Sequence, residues 1–426
     1  MERNDPRYQA YVEILKEELI PAMGCTEPIA LAYAAAKARE VLGVLPDSVQ
    51  LQVSGSIIKN VKSVIVPNTG HLKGMEAAVA AGIIAGSAEK ELEVISEVSE
   101  EKKSAIRDYL QTVPITIEHT EQGHVFDIVV TERCGQDYAR VRIADYHTNI
   151  CRIEKNGTVL YEVPLLDETV QEDARADRSL LNMQDIWDFA ETADLRDVAD
   201  LLERQIRYNN AIAEEGLLGD YGANIGRVLL TTYGNDVSNR AKAKAAAGSD
   251  ARMNGCELPV IINSGSGNQG ITCSVPLIEY AKELHSGKEK LYRALIISNL
   301  VAIHEKTGIG TLSAYCGAVS AGAGAGAGIV YLCGDGYQAA IHTVVNALAI
   351  VSGIVCDGAK ASCAAKIASS VDAALLGYNM YKCNQEFKGG DGIVMKDIET
   401  TIKGIGRLGK DGMRQTNEEI TRLMMS

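Results

Sequence analysis

The sequence has few aromatic residues and no run of basic residues. Its 426 residues include one Trp and three Phe, and aromatic side chains make up only 5% of the chain. The core must therefore be built from Ala, Ile, Leu and Val, which are the other residue types that proteins commonly bury. Acidic residues outnumber basic ones by 56 to 42, giving a formal charge of −14. Because phosphate contacts need basic patches, nucleic acid is not expected as a partner.

Targeting and membrane signals are also scarce. Residues 1–19 are charged and lack the apolar centre of a signal peptide, so we expect a cytoplasmic protein. Residues 313–334 carry no charge and are long enough to cross a bilayer, but no membrane interaction is expected. Their alternating Gly and Ala predict a closely packed, buried helix instead. In a reducing compartment the ten cysteines are expected to be buried, catalytic or metal-binding rather than paired.

The pattern of apolar residues changes near residue 170. Before that point, alternating segments over residues 112–163 predict a mostly antiparallel sheet, and residues 48–66 predict two further short strands. Beyond it, amphipathic and Ala/Gly-rich segments predict helices. We therefore expect an α+β domain with a mostly antiparallel sheet over residues 1–170, followed by an all-α, Gly/Ala-rich catalytic domain over residues 171–426.

Three cysteines of the second half lie among small residues, which would let a bulky inorganic group approach the backbone. Cys316 lies in the segment SAYCGAVSAG, and six residues separate Cys356 from Cys363. This spacing differs from the C-x₂-C pattern of zinc ribbons and bacterial ferredoxins. It would suit a pair of ligands near a helix end with one distant ligand. On spacing alone, buried structural cysteines are the alternative interpretation.

Two glycine-containing polar segments offer backbone N–H groups to an anion. Residues 263–270 (NSGSGNQG) combine these groups with amide side chains, and residues 68–71 (NTGH) precede a predicted helix. Ordinary glycine-rich connections are the alternative for both. By contrast, His304, Glu305 and Lys306 form a charged cluster that we interpret as solvated or as a helix cap.

The combination of four segments resembles the iron–sulfur L-cysteine desulfidase family, of the UPF0597 type. That family is similar in turn to the catalytic subunit of iron–sulfur L-serine dehydratases. The resemblance covers essentially the whole chain, and it rests on residues 24–28 (GCTEP), 264–276 (SGSGNQGITCSVP), 312–328 (LSAYCGAVSAGAGAGAG) and 355–366 (VCDGAKASCAAK).

The resemblance implies a lyase that works without pyridoxal phosphate and carries an oxygen-sensitive 4Fe-4S cluster. In the serine dehydratases three cysteines hold the cluster and leave one iron open to the substrate. Matched segment by segment, the three ligands correspond to Cys316, Cys356 and Cys363. The separation of the last two is shorter here than in the dehydratases, so Cys363 departs most from the dehydratase pattern.

The implied reaction is β-elimination of L-cysteine to hydrogen sulfide, ammonia and pyruvate. An open iron would act as a Lewis acid on the leaving group, and iron binds a thiolate better than a hydroxyl. Two alternatives stay open, namely an L-serine dehydratase on the same scaffold and a non-catalytic amino-acid-binding protein. We expect a homodimer. The substrate carboxylate is expected to be bound by Ser264, Ser266 and Asn268, together with Asn60.

Cys25 belongs to the desulfidase pattern, and its role is open. Thr26 fits a helix N-cap and Pro28 an early helical position, so Cys25 should lie just before a helix. The partial positive charge of a helix N-terminus should favour its thiolate. We expect a catalytic thiol that faces the substrate and acts on a proton or on the departing sulfur. A fourth cluster ligand and a buried structural cysteine are the alternatives.

Overall fold

A computed structural model describes residues 1–120, 124–163, 175–310 and 312–425. Its first half is built on a six-stranded sheet of order β3-β2-β4-β5-β6-β7, in which β2 and β3 are parallel and the other neighbours antiparallel. The predicted α+β fold with a mostly antiparallel sheet is confirmed. The strands are β1 (Pro21–Met23), β2 (Ser48–Ser54), β3 (Ile115–Thr120), β4 (Asp127–Cys134), β5 (Asp137–Ala144), β6 (Ile150–Lys155), β7 (Thr158–Glu162) and β8 (Pro259–Ile261).

Helices cover one face of the sheet and make up most of the second half, as the Ala/Gly-rich segments predict. Two of the N-terminal helices, α2 and α4, pack on each other, and α2 also lies on strands β4 and β5. The N-terminal helices are α1 (Pro6–Glu18), α2 (Thr26–Leu42), α3 (Gly55–Val61), α4 (Gly74–Ala85) and α5 (Glu100–Thr112). The others are α6 (Met183–Thr192), α7 (Ala199–Leu218), α8 (Ile225–Tyr233), α9 (Val237–Met253), α10 (Gly267–Glu283), α11 (Lys288–Ile309), α12 (Gly317–Cys333), α13 (Tyr337–Val351), α14 (Cys363–Lys382), α15 (Ile398–Arg407) and α16 (Arg414–Met425).

Two local predictions in the first half are wrong. Residues 48–66 form one strand followed by helix α3, because the period-two alternation stops at Ser54 and the buried Ile57 and Val61 then follow helical spacing. At the start of α2 the N-cap position is occupied by Cys25, and Thr26 is already the first helical residue. Both shifts move chemically important residues onto or next to a helix.

The uncharged segment near residue 320 forms helix α12, and nearly all of this helix is buried. Its glycines allow close contact with neighbouring helices: a methyl group on Gly328 would lie 2.8 Å from the carbonyl oxygen of Ala294 on α11. The prediction of a closely packed, buried helix is therefore confirmed. Within the described residues, no helix is long and apolar enough to cross a membrane.

The two halves of the chain share one continuous core of buried apolar side chains. Strand β1 pairs antiparallel with β8, so that Pro21 lies opposite Ile261, and the C-terminal helix α16 packs on α3. The expected boundary near residue 170 lies outside the described residues. The division into domains of residues 1–170 and 171–426 stays a prediction.

Candidate functional site

Three helices of the molecule begin close together, and we call this place the three-helix junction. The N-cap residues are Cys25 for α2, Ser266 for α10 and Cys316 for α12. The Thr26 hydroxyl donates a hydrogen bond of 3.0 Å to the carbonyl oxygen of Gly265, which connects α2 to α10. Because the first N–H groups of a helix lack intrahelical partners and carry partial positive charge, such a meeting point favours anions.

Helix α12 joins the junction through Gln269, which lies in the first turn of α10. A methyl group on Gly317, the first residue of α12, would lie 2.6 Å from the amide carbon of Gln269, so the two helix starts are in close contact. This contact places Cys316, the residue before Gly317, next to the start of α10. Two segments that are distant in sequence therefore come together.

Glu27 is the centre of a buried polar cluster at the start of α2. Its carboxylate accepts hydrogen bonds from the Cys25 thiol at 3.0 Å and the Asn60 amide at 2.8 Å, and the Thr26 hydroxyl, which donates to Gly265, lies 3.2 Å from it. The structure thus brings two of the predicted site residues, Cys25 and Asn60, onto one carboxylate. Glu27 was not among the predicted residues, although it lies two positions after Cys25 in the same segment.

The predicted thiolate at Cys25 is not supported. Burial, followed by the charge of Glu27, raises the pKa of Cys25 well above its usual value, and these effects outweigh the attraction of Arg252. Burial also raises the pKa of Glu27, but His147, the Cys25 hydrogen bond and Arg252 together hold it below its ordinary value. The pair is therefore a thiol that donates to a carboxylate, with the proton on sulfur.

The segment 263–268 forms a tight turn before α10, closed by reciprocal backbone hydrogen bonds between Asn263 and Ser266. Ser264 has a φ of +48°, and its hydroxyl donates to the Asn263 side chain at 2.9 Å. Ser266 makes no side-chain capping bond to α10. Among the described residues, Asn268 Oδ1 and Gln269 Oε1 are buried without a hydrogen-bond partner. Two amide oxygens at the start of α10 are therefore free to bind a ligand.

The three predicted ligand cysteines lie on adjoining segments. The N–H of Cys316 donates to Ile354 and the N–H of Cys356 to Ala314, at 3.2 and 2.6 Å, so the two backbones run side by side. Cys363 is the first residue of α14, and its thiol lies 3.6 Å from the carbonyl oxygen of Gly358. The structure therefore brings the three thiols into one neighbourhood.

These thiols influence one another electrostatically. Burial and the neighbouring Cys356 raise the pKa of Cys316 to about 12. Burial likewise raises the pKa of Cys363, and Cys356 adds to that effect. Cationic side chains lie near: the charge of Lys366 opposes the rise at both thiols, and Lys306 is buried and electrostatically coupled to Cys316 and Cys356.

Lys59 connects the cysteine segments to the Glu27 cluster. Its ammonium donates to the carbonyl oxygen of Cys356 at 3.3 Å and to the Asn417 side chain of α16 at 2.6 Å. The left-handed Gly358 packs directly on the Lys59 carbonyl, where a Cβ would overlap it. Since Asn60 follows Lys59 on α3, this short helix holds the two halves of the site together.

Two other sequence interpretations have different outcomes. Asn68, Gly70 and His71 of the segment 68–71 line a cavity of about 510 Å³ together with Lys103, Tyr221 and Cys256. The interpretation of residues 304–306 as solvated is wrong, because Glu305 and Lys306 are 1% and 6% exposed. The sequence suggested solvent because three polar residues adjoin, but α11 is buried around most of its circumference.

Across the described residues, no three His, Cys, Asp or Glu side chains are arranged to hold a metal ion. Cys316, Cys356 and Cys363 therefore do not form a site for a single ion. In an iron–sulfur cluster each thiolate binds a different iron, so its ligands need not converge on one point.

The chain matches the family described as serine dehydratase alpha chain over residues 89–422. A UPF0597 protein of Desulfitobacterium hafniense is 61% identical over 426 residues, covering 100% of this chain and 99% of the relative. A UPF0597 protein of Lachnoclostridium phytofermentans is 52% identical, covering 98% of this chain and 100% of the relative. A UPF0597 protein of Treponema denticola is 46% identical, covering 100% of each chain. The relatives thus include the Cys25 segment, which lies outside the family match.

Proposed function

Because this chain belongs to the serine dehydratase alpha-chain family and has full-length UPF0597 relatives, we propose that it is a carbon–sulfur lyase. The reaction is β-elimination of L-cysteine to hydrogen sulfide, ammonia and pyruvate, without pyridoxal phosphate. The observation that carries this proposal is the junction itself: the buried Cys25–Glu27 pair lies where helix N-termini favour an anion, and Cys316 is the N-cap of one of these helices.

The three thiols suit a 4Fe-4S cluster as a donor set. Cys316, Cys356 and Cys363 would be its ligands, and the small residues around them leave room for an inorganic group. Cationic Lys306 and Lys366 would compensate the negative charge that three thiolates bring into a buried site. When bound, an iron without a protein ligand supplies Lewis-acid stabilisation to the leaving thiolate.

Cys25 and Glu27 are the proposed proton-transfer pair. The Glu27 carboxylate takes the α-proton of the substrate, and the Cys25 thiol, 3.0 Å from that carboxylate, donates its proton to the departing sulfur. The electron pair of the broken C–H bond forms the Cα–Cβ double bond, and the C–S pair leaves with the substrate sulfur. The sulfur leaves as hydrogen sulfide with the proton of Cys25, Glu27 returns the α-proton to Cys25, and water hydrolyses the aminoacrylate product to pyruvate and ammonia.

L-Serine dehydration is the second candidate, and the family match favours it specifically. The same pair of residues would transfer the protons, with water as the leaving group. The preference for cysteine rests on the affinity of iron for sulfur, since a thiolate is the softer ligand. Within this proposal the enzyme acts in the cytoplasm as a homodimer, which size-exclusion chromatography with light scattering would check.

Anaerobic reconstitution with iron and sulfide tests the proposal. We expect about four irons and four sulfides per chain, as the formula of one cluster requires. We also expect hydrogen sulfide and pyruvate in equal amounts from L-cysteine, and a higher kcat/KM for L-cysteine than for L-serine. Faster turnover of L-serine would assign the dehydratase instead. Iron-free protein that binds amino acids without turnover would support a binding protein.

A further inference from the structure

Arg252 is a buried arginine without a partner. It lies in the last turn of α9, its exposed fraction is 2%, and its Nε has no hydrogen-bond partner. Within the described part of the chain it makes no hydrogen bond or ion pair. A second arginine of the same helix, Arg240, is paired with Glu279 and Glu283 at 3.4 and 2.6 Å.

An arginine cannot relieve burial by losing its charge, because its pKa is too high. An unpaired buried charge is strongly destabilising, so native proteins pair buried charges or use them for ligands. Glu27 is a candidate counterion, since its pKa is lowered by Arg252, but no ion pair within 4.0 Å joins the two side chains, and the carboxylate already accepts hydrogen bonds from Cys25 and Asn60. The guanidinium is therefore available to an anion from outside the chain.

The guanidinium lies at the start of α10. A methyl group on Gly267, the first residue of that helix, would lie 2.8 Å from Arg252 Cζ. Two attractions for an anion therefore coincide, namely the unpaired N–H groups of a 17-residue helix and a fixed guanidinium. Arg252 also influences both Cys25 and Glu27 electrostatically, which places it beside the proposed proton-transfer pair.

Unpartnered acceptors lie at the same junction. Asn60 donates its Nδ2 to Glu27, which fixes the amide so that Oδ1 is left as a buried acceptor without a partner in the described residues. The amide oxygens of Asn268 and Gln269 are equally free. A site with one free guanidinium and several free acceptors suits a ligand that carries a carboxylate and an ammonium.

We propose that Arg252 binds the α-carboxylate of the substrate at the N-terminus of α10, and so restricts the site to amino acids with a free carboxylate. The inference rests on the proposed amino-acid lyase activity. It assigns the carboxylate to a residue that no local sequence feature indicates, and it leaves the free amide oxygens to the ammonium group. Amino-acid amides, and peptides in which the carboxyl group of the cysteine is in a peptide bond, would be excluded, because an uncharged carbonyl cannot form an ion pair with the guanidinium.

Two thiol ligands that each lack one charged group test this assignment. 3-Mercaptopropionate has the carboxylate without the amine, and cysteamine has the amine without the carboxylate. Both ligands would be measured as competitive inhibitors of L-cysteine turnover and as stabilisers of the protein against thermal unfolding. The proteins would be anaerobically reconstituted wild type and the R252Q, R252K and R240Q variants. R240Q is the matched control, since Arg240 lies on the same helix but is already paired.

We expect R252Q to weaken the binding of 3-mercaptopropionate about ten- to a hundredfold and to raise the KM for L-cysteine by a similar factor. The affinity for cysteamine should change less than about twofold. R252K should recover part of the loss, because a lysine keeps the charge without the planar fork, and R240Q should match wild type. Equal losses for both ligands, or an unchanged 3-mercaptopropionate affinity, would overturn the proposal. Loss of iron from R252Q would do so too, since Arg252 would then balance the cluster.

The thermal measurement separates this inference from the proposed function. If the wild-type protein turns over neither L-cysteine nor L-serine, the lyase proposal fails. The difference between the two ligands in thermal unfolding then still reports on Arg252. Carboxylate-specific stabilisation that R252Q abolishes would support the anchor in a binding protein, and its absence would contradict it.

Discussion

The sheet and the three-helix junction treat their buried charges differently. In the sheet, Arg142 binds Asp127 through two hydrogen bonds of 2.9 and 2.7 Å, and Glu154 accepts from Tyr138 at 2.5 Å and Arg152 at 3.0 Å. At the junction, Arg252 and the amide oxygens described above have no partner in the described residues. Leaving buried polar groups unpaired costs free energy. The polar groups of the sheet are paired within the protein, whereas those of the junction need a bound ligand to be paired.

One residue of the sheet departs from this rule. Both carboxyl oxygens of Glu132 on β4 are buried and have no hydrogen-bond partner among the residues that the structure describes. Burial raises the pKa of Glu132 well above its usual value, so the carboxyl can take up a proton and become neutral. Arg252 has no such option, and for this reason the unpaired arginine points to a ligand more strongly than the unpaired glutamate does.

The largest expected effect is the loss of the cluster from C356A. A three-ligand site that loses one thiolate has two anchors, so we expect most of the iron and sulfide to be absent after anaerobic reconstitution, with turnover lost as well. Iron and acid-labile sulfide analysis measures this directly. C383A is the control, because Cys383 is exposed and lies outside the four segments.

Full iron and sulfide content in C356A would contradict the ligand assignment. The same assay on C316A and C363A ranks the three thiols. Because Cys363 departs most from the dehydratase spacing, a C363A variant that keeps its cluster would limit the correction to this residue.

C25S is expected to have the next largest effect. If Cys25 protonates the departing sulfur, the variant should keep its iron and lose about a hundredfold or more in kcat, as is typical when a general acid–base group is removed. C151S is a matched control, because Cys151 is also buried but lies in the sheet, on β6. Loss of iron from C25S would make Cys25 a fourth ligand, and full activity would contradict both roles.

N268A should show a smaller effect with the cluster intact. Losing one hydrogen bond to a charged substrate group costs about 1.5–3 kcal/mol, which corresponds to roughly a ten- to hundredfold fall in kcat/KM. S264A provides the comparison, since the Ser264 hydroxyl already donates to Asn263 and is less available to the substrate. An unchanged kcat/KM in N268A would show that Asn268 does not bind the substrate. A larger loss in S264A than in N268A would show that Ser264 contributes more to substrate binding than Asn268 does.

Local sequence patterns account well for the scaffold and for part of the site. Period-two alternation predicts strands such as β4 and β5, and the segments around Cys25 and Cys316 mark helix starts that the structure contains. Helix α3 is missed, because a seven-residue helix directly after a strand is too short to show a clear period. Its position decides where Asn60 lies, so the contact with Glu27 could not be predicted.

Arg252 could not be found from local patterns for a different reason. It lies near the end of the Ala-rich helix α9, where a basic residue fits both a solvated face and the favourable charge at a helix C-terminus. Its burial depends on α10, which is packed against α9. The signal is the absence of a partner, which only a three-dimensional structure reveals. Residues 305 and 306 illustrate the same limit, since their charge suggested solvent and their packing decided otherwise.

The smallest expected effect concerns Glu132 and the pH dependence of stability. Because its folded-state pKa is raised, the contribution of Glu132 to stability is fully present below the unfolded pKa of about 4.3 and is lost as pH rises through the folded value, by at most about 1.4 kcal/mol per pH unit. The E132Q variant lacks this titrating proton, so its free energy of unfolding relative to wild type should increase between pH 5 and pH 7.5 in urea unfolding.

E154Q is the control of opposite sign. The Tyr138 hydrogen bond and Arg152 lower the pKa of Glu154, so the E154Q variant should be less stable than wild type at pH 7. Its stability should approach that of wild type on acidification. A constant difference between E132Q and wild type across this range would show that Glu132 is charged in the folded protein, and the sheet would then contain an unpaired buried charge like that of the junction.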